Sequence, residues 1–239
     1  MREDNCFSVS ISVYKNDSPL FFKQAMHSVV NQSLSASEIV LVVDGPVPKE
    51  IDDVIDSFNE IINNFKVIKL KKNLGHGNAR RIGLENCKHN IVALMDSDDV
   101  SVYTRFEKQY GFLSKNPHVS VLGGQIEEFE GDINNIVARK EVPRTDSEIK
   151  EYMKYRCPIN QMSVMFRKDC VMDAGGYLDW FCNEDYYLWI RMCLKNKIFH
   201  NLDETLIKFR TDLNMYKRRG GWNYFLSEYR IQKLMKNKD

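Results

Sequence analysis

Two apolar runs, Glu38–Val43 (EIVLVV) and Ile91–Met95 (IVALM), constrain the fold more than any other feature of the chain. Neither alternates apolar with polar residues, and continuous runs of this length suit strands buried on both faces, as in a parallel sheet covered by helices. Each run stops abruptly at acids: Asp44-Gly45-Pro46 after the first, Asp96-Ser97-Asp98-Asp99 after the second. Residues 7–14 alternate and are rich in β-formers, so they read as a strand, and 65–70 read as another. Between them, 20–31 carry Phe22, Met26, Val29 and Val30 at helical spacing, and 49–64 place Ile51, Val54, Ile55, Phe58, Ile61 and Ile62 on one helix side. A helix rich in small residues and arginine covers 75–87, and another covers 103–116, stopped before Pro117. Strand–helix alternation at this spacing predicts an α/β fold: a mainly parallel sheet flanked by helices. Ligands of such sheets bind at the carboxyl ends of the strands, where Asp44 and the Asp96–Asp99 cluster both fall.

The remainder is less regular. Val119–Phe129 and 136–142 read as strands around a Gly131-Asp132 turn, 147–155 as a short helix and 163–166 as a strand. A short helix over 168–174 closes at Gly175-Gly176, followed by an amphipathic helix over 185–196 and a terminal one over 223–236. No repeat, low-complexity tract or linker interrupts the chain, so the expectation is one domain over 1–239.

Composition excludes several classes. The net charge of +1 offers no global field for nucleic acid. None of the cysteines (Cys6, Cys87, Cys157, Cys170, Cys182, Cys193) forms a C-x-x-C pair, which argues against zinc or thioredoxin-like chemistry and for reduced thiols in a cytoplasmic protein. The start, MREDNCFSVS, lacks a signal-peptide apolar core. No apolar run approaches the ~20 residues of a membrane span. Residues 208–239 hold nine Lys/Arg against three Asp/Glu, with Trp222, Phe225 and Tyr229 interleaved. Such a segment suits either an anionic membrane surface or a solvated helix whose aromatics pack on its own domain.

Four constellations carry chemistry. Two like charges ~4 Å apart repel by roughly 4 kcal/mol at an effective dielectric of about 20, so Asp96, Asp98 and Asp99 are costly together without a positive partner. A hard divalent cation such as Mg²⁺ or Mn²⁺ supplies one; the alternative is an acidic turn that caps the next helix. Asp44 can accept from a base or ribose, or act as an Asx-turn residue. In Asn73-Leu74-Gly75-His76-Gly77-Asn78-Ala79-Arg80-Arg81 the glycines let backbone approach an anion at a helix start, and one arginine can reach a phosphate or base edge while the other stays at the surface. Asn183 reads as an N-cap followed by Glu184 and Asp185, acids that the helix dipole stabilises. Asp185 also shares a face with Leu188, Trp189 and Met192, an inward setting where a carboxylate can act as general base. Lastly, Lys217, Arg218 and Arg219 precede a glycine pair and form either a phosphate clamp or a solvated turn.

In order, these residues resemble the inverting family-2 glycosyltransferases of GT-A fold. The opening strand of that family matches Ser8-Val9-Ser10-Ile11-Ser12-Val13-Tyr14-Lys15, with Lys for the usual Asn. Its S-V-x-x-Q matches Ser28-Val29-Val30-Asn31-Gln32, and its V-D-D-G appears as Val42-Val43-Asp44-Gly45 with one acid missing. Its N-x-G-x-x-x-A-R matches Asn73, Gly75, Ala79 and Arg80; its D-x-D is Asp96-Ser97-Asp98; its E-D before a helix is Glu184-Asp185. The later segments Pro158–Arg167, Ala174–Tyr177 and Met215–Gly220 are similar to bacterial enzymes that build O-antigen, capsule or exopolysaccharide repeats. Relatives often carry His in place of Gln161, and a His just after the Arg corresponding to Arg210; here Asp212 or His200 would have to take that role.

The resemblance implies transfer of a hexose, galactose or glucose, from a UDP-sugar to an acceptor glycan such as a HexNAc on a polyprenyl diphosphate. Residues 1–100 would form the nucleotide-sugar half and 101–239 the acceptor half. It further implies that Asp44 and Arg80 hold uridine, and that Asp96 and Asp98, with Asp99 beside them, hold ribose and a Mn²⁺ or Mg²⁺. Asp185, next to Glu184, would be the base. Lys217, Arg218 and Arg219 would bind the acceptor diphosphate, and the C-terminal helix would touch the inner membrane face. The rivals are a nucleotidyltransferase, which would need a glycine-rich loop where Val13–Pro19 stands, and a non-catalytic sugar-nucleotide-binding module.

Overall fold

The computed structural model describes residues 6–178, 180, 183–211 and 222–236. The first half forms β1 (Phe7–Val13), α1 (Pro19–Val30), β2 (Glu38–Val43), α2 (Lys49–Asn59), β3 (Phe65–Lys69), α3 (His76–Asn86) and β4 (Ile91–Met95). Strands β1 to β4 pair in parallel in the order β3-β2-β1-β4, so their carboxyl ends share one edge. In β2, Ile39, Leu41 and Val43 face one core and Val40 faces the other, the two-sided burial that an unbroken apolar run requires. Helices α1 and α2 cover the first face through Phe22, Met26, Ile51, Ile55 and Phe58. Helix α3 covers the second, where a side chain on Gly83 would strike Ser10 Oγ.

The second half adds β5 (Val100–Ser101), α4 (Arg105–Lys115), β6 (Val119–Phe129), β7 (Ile136–Lys140), α5 (Asp146–Tyr152), β8 (Met165–Arg167), α6 (Lys168–Asp173), α7 (Glu184–Leu194), β9 (Ile198–Arg210) and α8 (Trp222–Lys236). These strands extend the same sheet as β4-β8-β6-β9-β5, with β7 on β6. The β6–β9 pair is again parallel, whereas β8 runs antiparallel to both β4 and β6. Most paired residues are therefore in parallel register. Helix α4 joins the first face, and α5 to α8 join the second around Trp189, Tyr186 and Ile231.

Several boundaries, and one strand, differ from the sequence expectations. Helix α2 ends at Asn59, not 64, and Ile61 is 61% exposed. Residues after it unwind because Asn64 is used to pin β3, donating Nδ2 to Ser37 O and accepting from Ile39 N–H at 3.0 Å each. The strand expected at 163–166 starts two residues late, since Gln161–Ser163 form a 3-10 turn beyond the carboxyl end of β4. Strand β9 has no strand signature in the sequence, because its centre, His200-Asn201-Leu202-Asp203-Glu204-Thr205, is polar and passes a bulge opposite Gly124 and Gln125. It matters for the site: β5 pairs Val100 with Lys208, which brings Arg210 against the acids that follow β4.

Candidate active site

The site grows from the carboxyl edge of the parallel strands. Asp44 leaves β2 buried, and each of its carboxylate oxygens accepts a backbone N–H, Leu74 at 2.7 Å and Gly75 at 3.0 Å. It thus shapes the turn into α3 and occupies two of the N–H groups expected to await an anion. Gly45 makes this possible: its φ is +88°, and a Cβ there would lie 2.6 Å from Asn73 N.

Of the two arginines on α3, Arg81 stays outside and pairs with Glu85 at 3.0 Å. Arg80 turns inward and is 4% exposed. Its Nη2 donates to Asp96 Oδ1, and its Nε donates to His76 Nε2 at 2.9 Å. Burial opposes its charge, but Asp96, then Tyr177 and Glu184, outweigh this and raise its pKa.

Asp96, Asp98 and Asp99 offer carboxylate oxygens within 4.8 Å of one another. Asp99 is fully buried; Oδ1 accepts from Arg210 N–H at 2.9 Å, and Oδ2 has no partner among the described residues. Burial, then Asp98 and Asp96, push its carboxyl well above the usual range. The Asp98 carboxyl is pushed up to about 6 by desolvation, Asp96 and Asp17. An unpartnered buried oxygen among three crowded carboxylates is an all-oxygen donor set, which fits Mg²⁺ or Mn²⁺. The alternative of a helix cap fails here, because the α4 cap position is Thr104 and no side chain caps it.

Several members of this neighbourhood carried no sequence signal. Asp17 Oδ2 accepts from Ser97 Oγ at 2.8 Å and Tyr14 N–H at 3.0 Å, adding a fourth acid beside the cluster. Arg105 is fully buried beneath it, donating to Leu94 O at 2.7 Å and Gln109 Oε1 at 2.9 Å. Burial lowers its pKa while Asp96 and Asp99 act to raise it. Arg210 stacks on Phe21, 3.8 Å from its centroid, and donates to Asp98 O at 2.9 Å. Only Arg210 had a hint in the sequence, through its correspondence to an Arg of the resembling family.

The second group of acids opens α7. Asn183 stands at the N-cap position, but its side chain does not cap; Nδ2 donates to Ser227 Oγ on α8 at 3.1 Å. Glu184 accepts from His76 Nδ1 at 3.1 Å. Burial alone would raise its pKa; His76 and Arg80 outweigh this and hold it down. Asp185 behaves oppositely: burial, then Glu184, push it up to about 6. Its Oδ1 accepts from Tyr186 N–H at 2.7 Å. Gln161, with its amide oriented to suit its neighbours, donates Nε2 to Asp185 Oδ2 at 2.8 Å and accepts from Arg80 Nε at 3.0 Å. Asp96, Arg80, Gln161 and Asp185 therefore form one continuous chain of contacts, with His76 and Glu184 alongside.

His200 cannot replace a site histidine. It stacks on Phe112 with centroids 4.7 Å apart, at the end of β9 remote from Arg210. Asp212, Lys217, Arg218 and Arg219 lie outside the described residues. Among the described residues no helix is long and apolar enough to cross a membrane.

Comparison with known proteins agrees with this geometry. An amylovoran biosynthesis glycosyltransferase, AmsE, of Erwinia amylovora is 38% identical over 228 residues, covering 95% of this chain and 85% of its own length. A UDP-Gal:alpha-D-GlcNAc-diphosphoundecaprenol beta-1,3-galactosyltransferase of Escherichia coli is 37% identical over 226 residues, covering 95% and 82% respectively. Among solved structures, residues 1–349 of S. aureus TarS in complex with UDP-GlcNAc superpose with a TM-score of 0.68 at 18% identity, covering 96% of this chain and 65% of that one. That similarity shows the shared GT-A fold. The model of glycosyl transferase family 2 matches residues 8–171, which hold Asp44, Arg80, the three clustered acids and Gln161. The chain is a member of glycosyl transferase family 2, a glycosyltransferase.

Proposed function

We propose that the enzyme moves galactose or glucose from a UDP-sugar to a hydroxyl of a HexNAc-diphosphate-lipid acceptor in bacterial surface polysaccharide synthesis, with inversion. The observation that carries the reading is the chain Asp96–Arg80–Gln161–Asp185, which joins the acids after β4 to the raised carboxyl on α7. Similarity to the E. coli galactosyltransferase supports the sugar and the acceptor class.

Asp185 takes the proton of the acceptor hydroxyl. That oxygen bonds to C1 as the C1–phosphate oxygen bond breaks, and UDP leaves with the electron pair. Attack from the far side converts an α-linked donor into a β-linked product. Arg80 is spent on Asp96, His76 and Gln161, so it acts on the donor by fixing Asp96 and not by touching uridine. Asp44 sets the turn under the nucleotide and keeps lone pairs for a further donor. Asp96, Asp98 and Asp99 would hold the Mn²⁺ or Mg²⁺, which when bound stabilises charge on the leaving diphosphate.

In this reading 1–100 supplies the donor half and 101–239 the acceptor half of a single domain. Lys217, Arg218 and Arg219 bind the acceptor diphosphate. Trp222, 71% exposed, and Tyr229, 54% exposed, lie on α8 and support peripheral contact with the inner membrane face of the cytoplasm. A nucleotidyltransferase is disfavoured, since an acid, Asp17, stands after β1 where basic phosphate ligands would be needed.

The test is a screen of UDP-hexoses against a synthetic GlcNAc-diphosphate-lipid with Mn²⁺ present. A β-linked disaccharide with stoichiometric UDP release is expected. Release of UDP with no new glycosidic bond, or transfer of a nucleotidyl group, overturns the reading.

A further inference from the structure

One neutral side chain separates the raised carboxyl of α7 from the buried arginine of α3. Gln161 is 8% exposed in the 3-10 turn beyond β4. Its oxygen lies 3.0 and 3.1 Å from Arg80 Nε and Nη1, and its nitrogen 2.8 Å from Asp185 Oδ2. The partners impose this orientation, because a guanidinium only donates and an ionised carboxylate only accepts. We propose that Gln161 is a positioning residue for glycosyl transfer: it fixes the Asp185 carboxylate by one hydrogen bond and ties it, through Arg80, to Asp96. The inference rests on Asp185 being the base.

The chemistry of the position explains the residue. Asp185 Oδ1 is already held by Tyr186 N–H, so a second donor on Oδ2 locks the carboxylate plane. A cation at 161 would hold Asp185 ionised but lower its basicity and would repel Arg80. An anion would suit Arg80 and repel Asp185. An amide serves both without adding charge. Among the described residues, the charged and titratable groups facing Asp185 are Glu184 on its own helix, Arg80 and His76 from α3, Tyr177 from the loop before α7, and Cys157 from the loop before the 3-10 turn. Glu228 on α8 acts on Cys157 and Tyr186.

Three variants test this: Gln161→Glu, Gln161→Met and Gln161→His. Gln161→Glu and Gln161→Met are expected to lower kcat roughly 10- to 100-fold, the scale of a misplaced reacting group. The donor KM should stay within about threefold, because ground-state donor binding is unchanged. Gln161→His restores most of kcat, since a neutral imidazole donates with one nitrogen and accepts with the other. Gln161→Glu also moves the acid limb of the kcat profile to higher pH by adding a charge, and Gln161→Met moves it the same way by less, since it removes one hydrogen bond to the carboxylate. If Gln161→Glu fails to fold, the contrast between Met and His decides. Wild-type kcat in Gln161→Glu and Gln161→Met, or losses in all three that only follow melting temperature, overturn the inference. Normal turnover in Asp185→Asn instead removes the base assignment beneath it; impaired Asp185→Asn beside normal Gln161 variants removes this inference alone.

Discussion

Replacing Asp185 by Asn keeps the shape of the side chain and removes its capacity to take a proton. The wild-type carboxyl, pushed up to about 6 first by burial and then by Glu184, sets the expected profile. Such a group is about nine-tenths ionised at pH 7 and about one-tenth at pH 5, so turnover limited by proton removal falls roughly tenfold per unit below pH 6. Loss of general-base assistance costs ~10²–10⁴-fold. In barrier terms this is about 2.7–5.5 kcal/mol. Asn also keeps only one of two hydrogen bonds, since its Oδ1 can accept from Tyr186 N–H or Gln161 Nε2 while its Nδ2 accepts from neither. That lowers stability by about 1 kcal/mol, separable by a melting curve. The assay is UDP release at saturating donor, acceptor and Mn²⁺ between pH 5 and 8. The variant should be slower by the stated factor, flat across the acid range, and unchanged in UDP affinity by calorimetry. Turnover within threefold of wild type, or a slow rate that still falls with a midpoint near pH 6, refutes the role of Asp185.

Other perturbations reach separate parts of the site. Chelation with EDTA should halt transfer and Mn²⁺ or Mg²⁺ restore it; full activity in EDTA would remove the acids after β4 from the mechanism. Asp98→Asn should weaken Mn²⁺ binding tenfold or more, about 1.4 kcal/mol, while raising the melting temperature of the metal-free protein, because it removes an acid whose ionisation burial and Asp96 oppose. A lower melting temperature would show that the charges are already compensated. Arg80→Met removes the buried guanidinium that donates to Asp96, His76 and Gln161 and should cost about 2–4 kcal/mol in urea unfolding; a loss below 1 kcal/mol would deny it a structural share. Gly45→Ala forces a Cβ against Asn73 N at positive φ and should cost at least ~1–2 kcal/mol. It should also raise the donor KM, and an unchanged KM would detach the Asp44 turn from the nucleotide.

The parallel half was legible because its strands are local statements. An unbroken run such as Glu38–Val43 can be satisfied only between two helix layers, and the structure places Val40 and Leu41 in opposite cores. Strand β9 was not legible because its stability comes from its neighbours. Its polar centre is tolerated by pairing with β6 across a bulge, which no period in the sequence reveals. The same distinction holds for the site. Asp96, Asp98, Asp99 and Asp185 follow or open apolar elements, so their placement was legible in the sequence. Asp17, His76, Arg105 and the bridging role of Gln161 depend on contacts between segments far apart in the chain, such as Ser97 to Asp17 and Arg80 to Gln161.

The sequence offered two adjacent acids at the start of α7 and favoured Asp185 as the base by the face it shares with Leu188, Trp189 and Met192, with no physical account of how the work divides between them. The structure divides it by environment. Glu184 faces His76 and is held low, so it stays an anion whose partner is fixed. Asp185 is desolvated beside a neutral amide, and that same anion one residue away raises it further. Adjacent carboxyls pushed in opposite directions separate a charge-holding role from a proton-taking one. Glu184→Gln should therefore lower, not raise, the midpoint of the acid limb, since it removes the negative charge that lifts Asp185. It should also free His76 from α7 without removing the base. A midpoint that rises in Glu184→Gln would mean that the two acids exchange roles when the donor is bound.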